Sequence, residues 1–340
     1  MVGIRATPGE GVQGKPGEGD QAKPGEGDQA KPGETRARVG VLVAVGFWGI
    51  SFVATKTVVA EISPAALIFA RAGLGSLLLF GFLTLRREGP PPRDAWGALA
   101  LMGFVGVALH GLLQAYALTL TSAVKSGWLI GLIPIWSALL AAVFLGERFG
   151  RRKAAGLALG FLGAVIVVTG GRLGSDVLRL PSTRGDLLFI VSTVNWAVYS
   201  VLGHRTLRRL GPFRATAGAM LAGWLLLLPL FIAARGWNDY SRLSATGWAA
   251  LLFLGIGASG LGYLFWYGAL EKIEASRVAT FLYLEPLVTL AAAAVLLGEA
   301  VTLEAVAGGL LLLAGVAIVQ RAPSASRESA KEKPKADPSG

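Results

Sequence analysis

A chain of 340 residues that is 53% hydrophobic and only 16% charged, with mean hydropathy +0.58, lies outside the composition of soluble globular domains. Its net charge of +11 does not point to nucleic acid, because the basic residues flank apolar runs and form no patch with interleaved aromatics. The absence of cysteine removes disulfides, thiolate nucleophiles and sulfur metal sites, and two histidines are too few for a zinc or haem centre, so no cofactor or metal is expected.

Residues 1–37 read as a disordered cytoplasmic tail. Within it, 15–34 run "KPGEGDQAKPGEGDQAKPGE", an eight-residue unit of Pro, Gly and mixed charge that cannot bury enough surface to offset its ordering entropy. No apolar core follows a basic start, so this segment is no secretory signal. Ten apolar stretches then follow at 39–60, 64–85, 94–118, 123–145, 152–171, 185–203, 212–234, 245–269, 276–297 and 302–321. Each is long enough to cross roughly 30 Å of hydrocarbon as a helix, and none shows the polar face at helical spacing that a soluble bundle requires. The chain ends in a second polar tail, 322–340.

An even number of spans puts both termini on one side of the membrane. If that side is the cytoplasm, the inner loops carry thirteen basic residues (Arg86, Arg87, Arg93, Arg148, Arg151, Arg152, Lys153, Arg205, Arg208, Arg209, Arg214, Lys272, Arg277) and the outer loops six (Lys125, Arg172, Arg179, Arg184, Arg235, Arg242). The excess, to which both tails add further basic residues, predicts cytoplasmic termini.

The two halves repeat. "IPIWSALLAAVFLGERFGRRKAAG" (133–156) aligns without a gap on "EPLVTLAAAAVLLGEAVTLEAVAG" (285–308), matching Pro134 to Pro286, Gly146-Glu147 to Gly298-Glu299 and Gly156 to Gly308. Earlier in each half Trp48 meets Trp196 and Pro64 meets Pro212. Five spans per half force opposite entry into the membrane, and the charges agree: "RFGRRK" after the first Gly-Glu becomes "AVTLEA" after the second. The reading is an all-α membrane protein of ten helices in two five-helix inverted-topology repeats, 38–171 and 185–321, joined by a linker at 172–184.

At this level the sequence resembles the EamA domains of the drug/metabolite transporter superfamily. "FWGISFVATK" (47–56), "NWAVYSVLGHR" (195–205) and the two proline-to-glutamate segments carry the likeness, which covers about residues 38–320. It implies a secondary transporter, more an exporter than an importer, with amino acids, other metabolites or toxic organic compounds as the substrate classes.

An inverted repeat places a substrate site near the midplane, where the halves meet, and polar groups inside spans are the first candidates for it. Glu285 lies eight residues past Arg277, about 12 Å into the membrane. His110, Gln114 and Asn195 fall at similar depth, with His110 and Gln114 one helical turn apart. Trp48, Trp128, Tyr199, Tyr263, Tyr267 and Tyr283, with Trp196 and Trp266, could wall a cavity for an amphipathic small molecule. For Asn195 an interhelical hydrogen bond, and for His110 a packing role, are the competing readings. Trp96, Trp237 and Trp248 read as interfacial anchors, and Trp136 and Trp224 as lipid-facing. Lys56, Arg71 and Lys125 lie nearer the outer surface, where they can snorkel, and a structural role is expected for each, Arg71 with Glu61 in reach. Pro134 and Pro286 each free a carbonyl, Ile130 and Leu282, and are read as symmetric hinges.

No enzyme motif is present, and nothing resembles a channel filter. The expected function is export of amino acids, aromatic or hydrophobic ones included, or related metabolites by alternating access, in a bacterial inner membrane as the resemblance implies and with the lipid bilayer as solvent; a proton carried by Glu285 or His110 and passive exchange down a gradient are equally compatible with the residues. The alternative is a transporter or flippase for a sugar-linked, lipid-linked or cationic organic molecule, which a lysine cluster for phosphate would favour.

Overall fold

The computed structural model describes residues 32–145, 150–172, 181–273, 278 and 281–321. Both tail regions up to 31 and from 322, the linker at 173–180, Gly146-Glu147 and Arg277 lie outside them. The described chain is helical, and it holds eight rods long and apolar enough to cross a membrane: α1 (Glu34–Val59), α2 (Pro64–Leu85), α3 (Arg93–Leu120), α4 (Ala123–Leu140), α5 (Arg151–Thr169), α6 (Ser182–Leu210), α7 (Pro212–Ala233) and α8 (Ala245–Leu270). Two shorter apolar helices, α9 (Phe281–Leu297) and α10 (Leu303–Val319), complete ten.

Short polar residues start these helices where the chain turns on the face opposite the termini. Ser63, Ser122 and Ser244 accept from the amides of Ala66 (3.2 Å), Lys125 (3.1 Å) and Gly247 (3.0 Å), each satisfying an amide that the first turn leaves free. At its other end, α9 closes on Gly298, whose φ of +64° suits a residue without a Cβ.

The packing follows a two-fold axis between the halves. Helix α1 lies against α8 and α9, and α6 lies against α3 and α4; α2 pairs with its mate α7, and α5 with its mate α10. The α5–α10 contact is backbone-close: a Cβ on Gly156 would stand 2.8 Å from the Gly315 carbonyl oxygen, and one on Gly308 2.9 Å from that of Gly163. Small residues permit this approach, which gains dispersion where lipid offers no hydrophobic drive. Local irregularities obey the same symmetry. A π-helical segment occupies Phe104–Leu109 in α3 and another Phe253–Leu261 in α8. A 3-10 turn precedes each repeat proline, Ile130–Leu132 in α4 and Phe281–Leu284 in α9.

Polar contacts fasten the halves on the face away from the termini. Glu299, at the α9–α10 turn, accepts from the amides of Ala123 (3.0 Å) and Val124 (2.9 Å), so a carboxylate of the second half caps a helix of the first. Lys56 stands 3.6 Å from Glu299 and donates to the Thr121 carbonyl. Lys125 Nζ lies 2.9 Å from Asp186 and 3.0 Å from the Val168 carbonyl, and the Thr121 hydroxyl also donates to Asp186. Lys56 and Lys125 thus have the structural role expected of them, in contacts between helices: Asp186, fully buried, holds Lys125 because an uncompensated buried carboxylate is costly.

Candidate functional site

The interruptions in α3, α4, α8 and α9 converge. Between the halves they leave a cavity of about 410 Å³, walled by parts of α1–α4 and α6–α10. Both prolines line it, with the 3-10 turns before them. The freed-carbonyl expectation needs correction at one of the two positions, because the Ile133 amide donates to the Ile130 carbonyl through the 3-10 turn.

Seven of the ten side chains assigned to substrate contact line the cavity. Trp48 lines the cavity with its indole nitrogen donating to the Ala258 carbonyl (3.0 Å), an acceptor exposed by the π-helical segment of α8. Its ring is 5.6 Å from Tyr263 and 5.2 Å from Trp266. Tyr263 stacks 6.0 Å from Tyr267, whose hydroxyl shares a hydrogen bond with Thr216. His110 lines the opposite wall. Its Nδ1 is 3.1 Å from the Ser192 carbonyl, so that nitrogen carries the proton, and its ring lies 4.7 Å from Trp196. Gln114, Tyr283 and Glu285 also face the cavity. Among the described residues the Glu285 carboxylate makes no hydrogen bond and no ion pair.

Three assigned residues lie elsewhere. Trp128, on α4, is 1% exposed and locked in the core against Gly309 of α10, with no acceptor for its indole nitrogen among the described residues. Asn195 donates to the Val105 carbonyl (2.7 Å), joining α6 to the π-helical segment of α3. Tyr199 packs beside Trp196, at 5.0 Å, and over Gly106, behind the wall. Trp136 and Trp224 are not simply lipid-facing either: Trp136 donates to Thr193 (2.9 Å), and Trp224 packs on Phe69 at 5.5 Å.

Arg71 is the residue that sequence reasoning misplaced. It sits seven residues into α2, about 10 Å from the helix start, and lines the cavity. Its Nε donates to Ser259 Oγ at 2.8 Å. Glu61, its expected partner, is engaged by Ser244 through both the amide and the hydroxyl, each at 2.7 Å. The signal was the fourteen-residue apolar setting of "PAALIFARAGLGSL", with serine the only other polar side chain in it. Among the described residues no three of His, Asp and Glu converge to hold a metal ion.

This geometry can bind a small organic solute: aromatic faces for its apolar part, and one carboxylate and one guanidinium for its polar groups. A model of the EamA-like transporter family matches the sequence twice, at residues 36–169 and 183–321. The chain belongs to the EamA-like transporter family. This EamA-like transporter is 34% identical over 284 residues to an uncharacterized transporter of Archaeoglobus fulgidus, covering 82% of this chain and 96% of that protein. It is 31% identical over 300 residues to a probable terminal-alkyne amino-acid exporter of Streptantibioticus cattleyicolor, covering 87% and 97%. Among solved structures, a crystal structure at 22% identity superposes with a TM-score of 0.56 over 84% of this chain and 96% of the other, a likeness of fold.

Proposed function

We propose that this membrane transporter exports amino acids or closely related amphipathic metabolites from the cytoplasm by alternating access about the central cavity. The observation that carries the reading is the cavity itself. It lies between inverted repeats, is walled by Trp48, Trp196, Trp266 and Tyr263, and holds a carboxylate, Glu285, with no hydrogen bond or ion pair among the described residues. The relative named as a probable amino-acid exporter supports the substrate class.

The packing supports an inward-open state. The C-terminal half of α3 packs on α1 near the face away from the termini, whereas its mate, the C-terminal half of α8, has no comparable contact with α6. With the termini cytoplasmic, as the loop charges argue, the cavity opens to the cell interior. Of the two cations that leave room for the flippase alternative, Lys125 is occupied by Asp186 and the Val168 carbonyl, whereas Arg71 lines the cavity.

Flux in proteoliposomes tests the proposal, with a panel of amino acids, aromatic cations and sugar phosphates, each with and without a pH gradient. Saturable amino-acid flux is expected in the wild type, with a drop of about tenfold or more in Glu285→Gln, the loss of one charged hydrogen bond. Dependence of that flux on the gradient would identify protons as the coupling ion. No amino-acid flux above empty vesicles would contradict the reading.

A further inference from the structure

Two opposite charges face the cavity without facing each other. Among the described residues Arg71 makes one hydrogen bond, from Nε to Ser259 at 2.8 Å. The terminal guanidinium nitrogens keep their donors, a fork shaped for a carboxylate. Across the cavity, Glu285 has no described protein partner. The two groups do not form an ion pair, so they stand more than 4.0 Å apart.

We infer that this arrangement is a clamp for a zwitterion: Arg71 takes the substrate's carboxylate, Glu285 faces its ammonium, and the surrounding rings hold its side chain. The inference rests on the proposed function and narrows it to free amino acids with both polar groups unblocked. The physics is one of compensation. A buried charge without a counter-charge is costly, and a solute that supplies both complements relieves both costs at once. An amine leaves Arg71 unanswered, and an acid leaves Glu285 unanswered. Discrimination of this kind is steep, because a site built around polar groups penalises the analogue that lacks their partner. Ser259, on the π-helical segment of α8, positions the guanidinium by accepting from Nε, so α2 and α8 together fix the direction of the fork.

Competition against labelled phenylalanine counterflow in proteoliposomes tests the clamp. The competitors are phenylalanine, its methyl ester, its N-acetyl derivative and glycerol 3-phosphate. In the wild type only unblocked phenylalanine should compete at low concentration, with each blocked form at least tenfold weaker. Arg71→Gln should raise the half-maximal phenylalanine concentration at least tenfold and remove the preference over the methyl ester. Arg71→Lys, which keeps the charge without the fork, should fall between. If Arg71→Gln does not fold, the wild-type series and Arg71→Lys still decide. Methyl ester competing as well as phenylalanine in the wild type would overturn the clamp while leaving amino-acid export standing. Strong competition by glycerol 3-phosphate would reassign Arg71 to a phosphate and overturn it. A wild type that carries no phenylalanine or other amino acid would overturn both readings.

Discussion

Arg71, Asn195 and Trp128 show what a sequence reveals about single residues and what it hides. Depth in a span is legible from spacing, and Glu285, His110 and Gln114, read at similar depth, all line the cavity. Rotation about the helix axis is not legible once a helix is apolar all round, because no polar face marks the inside. Trp128 therefore looked like cavity wall and is core, whereas Arg71 looked like a snorkelling cation and is cavity wall. Asn195 resolved to its competing reading because a π-helical segment in α3 offers it a carbonyl. Glu61 gives a prediction at this scale. Two hydrogen bonds from Ser244 hold its carboxyl below the ordinary value of 4.5. A depressed folded-state value means that the stabilisation is present above pH 4.5 and is lost as pH falls through the lower value. Wild type should thus melt above Glu61→Gln in detergent at pH 7, with the gap closing near pH 3. A gap of equal size at both pH values would show that the charge of Glu61 contributes nothing.

At the scale of elements, the paired interruptions carry the mechanics. Pro134 and Pro286 were readable as equivalents from the repeat alone. The 3-10 turns before them and the π-helical segments in α3 and α8 were not, since hydrogen-bond slippage leaves no compositional mark. All four interruptions border the cavity, where helices must change shape if the halves rock. Pro134→Ala and Pro286→Ala restore an amide donor and straighten the helix. Each should slow flux several-fold while membrane insertion and elution from size exclusion stay unchanged. Wild-type flux in both variants would reduce the prolines to static packing.

For the whole molecule, the inverted repeat was legible because charge and apolar scaffold vary independently along the chain: loops are rewritten to suit orientation while the helix pattern persists. The fold follows from that symmetry, but the conformational state does not, because it is the departure from symmetry. On the face away from the termini, Lys56, Thr121, Lys125, Asp186 and Glu299 draw α1, α4, α6 and the α9–α10 turn together. In the proposed inward-open state the access path runs from the other face to Glu285, whose repeat mate, Ile133, lines the same cavity. That position offers the most direct measurement of the central claim, since the chain has no cysteine of its own. Ile133→Cys in proteoliposomes should lose amino-acid flux on modification by a membrane-impermeant thiol reagent applied from the cytoplasmic face, and excess amino acid should slow that modification. Complete modification with flux unchanged would show that the cavity between the repeats is not the route of transport.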